Sequence, residues 1–290
     1  MLQGHYQNSQ NDDSEDETPE KSIGWWYKLE PIASEFRSNC SKYWIPGTNV
    51  SIDKMIIRCF RRSKHTFKTP HKPITQGYRI FSLCEAGYTY SFMWSSRSDS
   101  YSKLIRLPDL SPTESMVYQL AQRLPSGKAY VIYMDNYFTR VPLLLKLRAI
   151  NIGACGTTRK HPEFPSFLIK LKDICSRYME WNTTAAIVVR KQREGVQLEP
   201  DPSDPGVICF AWQDNNTVLA CSTVHKAGEE HTIIRSRRRP QLTSTNRPLV
   251  RKVFGNESRK NLPIPVFIDD YNHFIGGVDI ADQFRAYYST

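Results

Sequence analysis

The stretch that decides the fold is KAYVIYMDNYFT, residues Lys128–Thr139. Residues 129–134 form an apolar run, rich in β-forming residues and as long as a buried strand. The run ends at Asp135 and Asn136, and a Leu-rich segment typical of a helix begins at Pro142. Open α/β sheets carry functional groups at the carboxyl ends of their strands, so this order favours a functional Asp135. The alternative is that Asp135 and Asn136 only open a turn.

The segments on both sides of this stretch predict alternating strands and helices. Residues 77–94 predict a β-hairpin whose turn begins at Glu85, so Glu85 also ends a strand. Taken alone, a glutamate in a turn is usually only a solvated residue. A helix is predicted over residues 112–124 and a further strand over residues 151–158. The order hairpin, helix, strand, helix, strand predicts an α/β fold with mixed strand directions.

Composition favours a globular protein with a polyanionic partner. The 290 residues are 40% hydrophobic and carry a formal net charge of +10, which favours nucleic acid first and an anionic membrane second. No apolar run approaches the roughly 20 residues of a membrane span, and no secretory signal is apparent. The seven cysteines form no CxxC pair, which indicates reduced thiols in an intracellular protein and no zinc site.

Two basic stretches are candidates for contacts with DNA phosphates. The first interleaves basic residues with Phe60 and Phe67, and the second follows predicted strands at 183–190, 207–212 and 217–223. The second stretch could instead be a nuclear-import signal, and either could be a solvated loop. The candidate DNA-binding residues are Arg58, Arg61, Arg62, Lys64, Lys68 and Lys72 in the first, and Arg235, Arg237, Arg238 and Arg239 in the second.

Acidic residues suggest a metal site. Asp279 and Asp282 lie three residues apart on a helix predicted after Gly276–Gly277. Glu85, Asp135 and Asp279 are therefore expected to converge, and clustered carboxylates can hold two Mg²⁺ ions about 4 Å apart. Spacing alone does not prove such a site.

Five segments of the chain resemble signature blocks of the piggyBac transposase family. In order, these blocks are SIDKMIIRCFRRSKHTFKTPHKPITQGYRIFSLCEAGY (51–88), MDNYFTRVPLLLKL (134–147), GTTRK (156–160), FAWQDNNTVLACSTVH (210–225) and YNHFIGGVDIADQFRAYYST (271–290). The resemblance covers about residues 22–290. It implies an RNase H-like core interrupted by a β-rich insertion, a helical N-terminal part, and Mg²⁺-dependent cut-and-paste DNA transposition by three acids. Asp135 and Asp279 match the second and third of these acids, and Asp282 matches a supporting acid.

Three departures from the family pattern shape the functional expectation. The first family aspartate is placed at Glu85, Arg61 replaces an expected glycine, and the chain stops at Thr290. The resemblance predicts a nuclear, transposase-derived protein that binds double-stranded DNA at transposon ends. These departures predict that it is truncated and catalytically impaired. Glu85→Asp would then recover some cleavage. The alternatives are an active Mg²⁺-dependent transposase or nuclease, and a domesticated DNA-binding or interaction protein without catalysis. A homodimer is left open, and no membrane partner is expected.

The predicted organisation has five parts. An acidic, disordered head (1–21) precedes an N-terminal DNA-binding or dimerisation part (22–75). The RNase H-like core follows in two segments, 76–160 and 266–290, and the β-rich insertion with its basic loop lies between them at 161–265.

Overall fold

The computed structural model describes residues 26–61, 63–70, 74–96, 105–190, 206–241 and 247–288. The predicted acidic head (1–21) and two of the candidate DNA-binding residues, Arg62 and Lys72, lie outside these ranges.

Within the described ranges, nine strands form one mixed sheet. Its order is β2-β3-β1-β5-β6-β9-β8-β7, and β4 also pairs with β3. Strand β1 is antiparallel to β3 and parallel to β5, and β5 is parallel to β6. The predicted α/β fold with mixed strand directions is therefore confirmed. The strands are β1 (Asn49–Arg58), β2 (Thr66–Lys68), β3 (Gln76–Glu85), β4 (Tyr88–Ser95), β5 (Tyr130–Met134), β6 (Ile152–Thr157), β7 (Thr184–Val189), β8 (Val207–Gln213) and β9 (Thr217–Ser222).

Helices cover both faces of this sheet. The helices are α1 (Glu30–Tyr43), α2 (Pro112–Ala121), α3 (Val141–Ala149), α4 (Ser166–Lys170), α5 (Arg247–Lys252), α6 (Val266–Phe274) and α7 (Gly277–Tyr287). Alternate residues of a strand face opposite sides, and β1 follows this rule. Val50 and Ile52 join the core beneath α2 and α3, whereas Met55 packs with Val278 and Ala281 of α7. Both layers of the core therefore meet at β1.

Helix α2 shows how local sequence fixes one of these elements. Ser111 Oγ accepts a hydrogen bond from the Glu114 N–H at 3.3 Å, and Glu114 Oε2 accepts one from the Ser111 N–H at 2.7 Å. This reciprocal capping box, with Pro112 at the first helical position, begins the helix. Val117 and Leu120 then lie on the buried face of the helix, with no exposed surface.

The second basic stretch folds differently from its prediction. Residues predicted as a basic loop form a second sheet, in which β10 (Thr232–Arg238) pairs antiparallel with β11 (Arg259–Pro265). Ile233 lies opposite Ile264, which is buried in a cluster with Phe267 of α6 and Trp212 of β8. Apolar anchoring of this pair outweighs the high charge of the segment, so the loop prediction was wrong.

The main sheet crosses two of the predicted domain boundaries. The boundary between residues 75 and 76 separates β1 from its hydrogen-bonded neighbour β3, and the boundary between 160 and 161 separates β6 from β9. Strand β1 therefore belongs to the core sheet, and β7–β9 extend that sheet beyond β6. Sequence separation gave no sign of this continuity.

All seven cysteines are free, and five of them are buried. In the part of the chain that the structure describes, no helix is both long and apolar enough to cross a membrane.

Candidate active site

Two neighbouring parallel strands bring Asp53 and Asp135 to the same place. Ile52 of β1 lies opposite Met134 of β5 in the parallel register, and each is followed by an aspartate. Strand β5 ends at Met134, so Asp135 lies just beyond the sheet while Asp53 is still within β1. The carboxyl end of β5 therefore lies beside Asp53 in the middle of β1.

Asp53 is a mostly buried carboxylate. Its side chain is 19% exposed, and its Oδ1 accepts a hydrogen bond from the Lys54 N–H at 2.7 Å. Burial raises the pKa of Asp53 to about 6; the Lys54 N–H opposes this rise, and the charges of Asp135 and Asp279 add to it. Met55, on the same face of β1 as Asp53, packs against Val278 and Ala281, so α7 lies on the side of β1 that Asp53 faces.

Asp135 both opens a turn and contributes to the site. Its Oδ1 accepts a hydrogen bond from the Tyr137 N–H at 2.8 Å, and its carbonyl accepts from the N–H groups of Phe138 and Thr139 at 3.2 Å. Its Oδ2 lies 3.2 Å from the Lys54 ammonium. The two interpretations of Asp135 from sequence are thus compatible, because one carboxylate oxygen fixes the turn and the other faces the site.

Lys54 is the cation of this cluster. Its Nζ lies 3.2 Å from Asp135 Oδ2 and 3.9 Å from Asp53 Oδ1. The side chain leaves β1 on the face opposite Asp53, because consecutive strand residues alternate. There its Nζ lies 4.6 Å from the centre of the Tyr137 ring, within the range of a cation–π contact. Lys54 therefore neutralises both acids from one side.

Helix α7 brings Asp279 along β1. A Cβ on Gly277 would lie 2.5 Å from Ser51 Oγ and 3.3 Å from the Ala86 backbone nitrogen, so the start of α7 packs closely against β1. At the other end of α7, Arg285 Nη2 donates to the Ile56 carbonyl at 2.9 Å. Asp279 is exposed between these anchors, and Asp282 forms an ion pair with Arg285. Asp279 is thus an exposed acid near the start of α7, whereas Asp282 orients Arg285, which bonds the helix to β1.

Glu85 makes contacts outside this group of acids, and its predicted convergence with Asp135 and Asp279 stays a prediction. Cys84 lies opposite Ser51 in the antiparallel register, so Glu85 is level with Val50, three residues from Asp53. That offset is about 10 Å along the strand. Its carboxylate points to the segment that leads into β1 and accepts from Trp44 Nε1 at 2.7 Å and from the Gly47 N–H at 2.8 Å. Glu85 is therefore a structural clamp.

The site residue that sequence reasoning missed is Asp53. It stands in the apolar segment VSIDKMII, and a charged residue inside an otherwise buried strand is a signal in its own right. The rule that functional groups lie at the carboxyl ends of strands describes parallel strands. Applied to the predicted hairpin, it favoured Glu85 over Asp53. Strand β3 is antiparallel to β1, so its carboxyl end lies level with the start of β1, three residues from Asp53.

The donor set fits a hard divalent cation in its chemistry. Asp53, Asp135 and Asp279 offer the carboxylate oxygens that Mg²⁺ and Mn²⁺ prefer. Within the described ranges, however, no group of three or more His, Cys, Asp or Glu side chains is arranged to hold a metal ion. The nearest cation to Asp135 Oδ2 is the ammonium of Lys54. A metal bound there would therefore have to displace Lys54 or accept its repulsion.

The candidate DNA-binding residues fall into two surfaces. Arg58 ends β1, Arg61 follows it, Lys64 lies in the next turn and Lys68 ends β2, so these four lie towards the end of β1 that follows Asp53. In β10, Arg235 forms two 2.7 Å bonds with Asp269, and Arg237 lies 2.8 Å from Asp214. Arg238 and Arg239 line a cleft of about 410 Å³ with Arg259. The prediction of a uniform basic cluster is thus refined, because two of its arginines are paired with acids.

Comparison with known proteins now identifies the family. The family model described as transposase IS4 matches residues 6–290. The chain belongs to this family and is of the piggyBac type. It is 24% identical over 260 residues to the human PiggyBac transposable element-derived protein 3, a match that covers 88% of the chain and 38% of that protein. The human chimeric ERCC6-PGBD3 protein matches with the same identity over 21% of its length. The chain therefore spans well under half the length of these relatives.

A solved transposase structure has the same fold. The piggyBac transposase in a synaptic complex with hairpin DNA aligns with a TM-score of 0.62 and 19% sequence identity. The alignment covers 89% of this chain and 44% of the transposase chain. The mixed sheet and this match agree with the RNase H-like core expected for a piggyBac-type transposase.

Proposed function

We propose that this chain is a transposase-derived DNA-binding protein whose phosphodiester-cleaving site is formed by Asp53, Asp135 and Asp279. The observation that carries the proposal is the parallel pairing of β1 with β5, which places two aspartates side by side at the end of β5. Asp279 lies on α7, which packs against β1 through Val278 and Ala281. Carboxylates from strands and an adjoining helix are an arrangement suited to holding divalent cations against a phosphodiester.

The chain's own residues would prepare the site in a defined way. A backbone N–H fixes one oxygen of Asp53 and one of Asp135, so the other oxygen of each carboxylate is the one offered to a ligand. Mg²⁺ held there would neutralise phosphate charge and activate the attacking oxygen. Exposed Asp279 completes the negative charge of the site, and Asp282 keeps α7 in position through Arg285.

Duplex DNA is the proposed partner, and the nucleus the proposed location. The surface formed by Arg58, Arg61, Lys64 and Lys68 lies towards the end of β1 that follows Asp53, where a bound backbone would pass the acidic site. The cleft lined by Arg238, Arg239 and Arg259 offers a second group of guanidinium groups. The DNA complex named for the similar transposase supports this partner. Mg²⁺ is the proposed cofactor.

DNA binding is tested with a labelled duplex and fluorescence anisotropy. The affinity is expected to fall steeply as salt rises from about 50 to 200 mM, as it does for proteins with several phosphate contacts. Arg58→Ala combined with Arg61→Ala should reduce this salt dependence. Lys146→Ala is the matched control. Lys146, on α3, is already paired with Asp109, so its loss should leave the slope unchanged. A salt-independent affinity would reject the DNA-binding proposal.

Cleavage is tested by metal-dependent nicking of supercoiled plasmid. Asp53→Asn and Asp135→Asn should each abolish whatever nicking the unchanged chain shows, while DNA affinity is retained. Glu85→Gln, which keeps a side chain of the same length at the clamp, should leave nicking unchanged. Nicking that survives Asp53→Asn but is lost in Glu85→Gln would reverse the assignment of the site. Complete absence of nicking, in every variant and with every metal, would favour a DNA-binding protein without catalysis.

A further inference from the structure

A positively charged side chain lies where the acidic site would otherwise attract a divalent metal. Lys54 follows Asp53 directly in β1, and its ammonium lies 3.2 Å from Asp135 Oδ2 and 3.9 Å from Asp53 Oδ1. The three side chains are between 19% and 28% exposed, so water screens their interactions only partly. We propose that Lys54 is a tethered counter-cation that competes with divalent metal for Asp53 and Asp135 and thereby weakens metal binding.

The two carboxylates and the Lys54 ammonium lie close enough for their charges to interact. Asp53 and Asp135 repel each other, and the charge of Asp135 contributes to the raised pKa of Asp53. An ammonium within reach of both carboxylates offsets part of that repulsion without any metal. Because Lys54 is covalently attached next to Asp53, its effective concentration at the site is high at every metal concentration. An incoming cation must displace the ammonium or accept its repulsion.

The surroundings of Lys54 also stabilise its position. Its Nζ lies 4.6 Å from the Tyr137 ring centre and 5.9 Å from that of Phe138. Contact with an aromatic face favours a cation there even when one carboxylate is occupied. This inference rests on the proposed function, because it assumes that the acids form a metal site.

Direct metal binding tests the proposal without reference to activity. The probe is Mn²⁺ alone, with free Mn²⁺ measured by electron paramagnetic resonance against the whole chain. Lys54→Met keeps a long side chain and removes the charge. It should tighten Mn²⁺ binding roughly 30-fold, the factor for a divalent ion that no longer meets a unit positive charge about 4 Å away in bulk water. Lys54→Arg keeps the charge and should show no comparable gain.

Further variants assign the gain to this site. Lys146→Met removes another ion-paired lysine. Lys146 lies on α3 with its Nζ 3.0 Å from Asp109, and its loss should leave Mn²⁺ affinity unchanged. Adding Asp135→Asn to Lys54→Met should abolish the gain. Thermal unfolding gives a second measurement, because Mn²⁺ should raise the melting temperature of Lys54→Met more than that of the unchanged chain. Circular dichroism confirms that each variant is folded before its binding is compared.

The outcomes separate this inference from the proposed function. If Lys54→Met binds Mn²⁺ no better than the unchanged chain, but Asp135→Asn binds it more weakly, the metal site stands and the role of Lys54 is rejected. If no variant binds Mn²⁺ more tightly than the Asp53→Asn, Asp135→Asn double variant, both the metal site and the competition are rejected. A gain in Lys54→Met that requires Asp135 supports both.

Discussion

At the scale of single residues, two acids at strand positions have different roles because of pairing register. Asp53 lies beside the end of β5, where its neighbours are Asp135 and Lys54. Glu85 lies three residues away along β1, where its carboxylate meets Trp44 and the Gly47 N–H. A carboxylate that accepts two hydrogen bonds from one segment fixes that segment. The residue type alone does not distinguish a metal ligand from a clamp.

The clamp makes a prediction about Glu85 that differs from the one based on sequence. Glu85→Ala should lower the free energy of unfolding by about 1–3 kcal/mol, because it leaves the Gly47 N–H and the Trp44 indole without their acceptor. Glu85→Asp should also destabilise, since the shorter side chain cannot reach both donors. Chemical denaturation measures this loss. Recovery of plasmid nicking by Glu85→Asp, without loss of stability, would contradict the clamp and restore Glu85 as a site residue.

At the scale of elements, the position of α7 depends on one glycine. Gly277 packs against Ser51 of β1, and a Cβ there would lie 2.5 Å from Ser51 Oγ and 3.3 Å from the Ala86 backbone nitrogen. A Cβ on neighbouring Gly276 would meet nothing within 4 Å, and its φ of −73° suits any residue. These two glycines therefore form a matched pair for testing how closely α7 must approach β1.

We expect Gly277→Ala to push the start of α7 away from β1 and to move Asp279 with it. Overpacking of this kind costs about 1–3 kcal/mol of stability. Gly276→Ala should be neutral or slightly stabilising, because alanine restricts the unfolded chain more than glycine does. Thermal unfolding of both variants provides the comparison, and Mn²⁺ binding reports the displacement of Asp279. Equal stability and equal Mn²⁺ affinity of the two variants would show that α7 does not need this close approach.

The sequence predicted the elements better than their neighbours in space. The hairpin over residues 77–94, the strand ending at Met134 and the helix after Gly277 all form, because their apolar periodicity or turn glycines are local signals. The sequence predicts a loop where β10 forms, since the pairing of Ile233 with Ile264 bridges residues far apart in the chain. The candidate site could be predicted only in part from sequence. Asp135 and Asp279 stand out by their local patterns, but the position of Asp53 beside them depends on the parallel register of β1 with β5, which no local pattern reveals.

At the scale of the whole molecule, the formal net charge of +10 counts arginines that have acidic partners together with arginines that have none. Arg235 is paired with Asp269, and Arg237 with Asp214. Arg238 and Arg239 lie in the same strand region and line the cleft with Arg259, and within the described ranges neither forms an ion pair. An arginine already neutralised by a carboxylate releases fewer counterions when it meets a phosphate. The formal charge of β10 therefore overstates its contribution to DNA binding.

Two double variants test this division directly. Arg238→Ala with Arg239→Ala should reduce the slope of log affinity against log salt by up to about 1.8, at about 0.9 for each lost phosphate contact. Arg235→Ala with Arg237→Ala removes the same formal charge but should change the slope much less. It should instead lower stability, because Asp214 is largely buried and loses its partner at 2.8 Å. Fluorescence anisotropy over a salt series measures the slopes, and denaturation measures the stabilities. Equal slopes for the two double variants would mean that the pairing seen in β10 does not decide which arginines reach the DNA backbone.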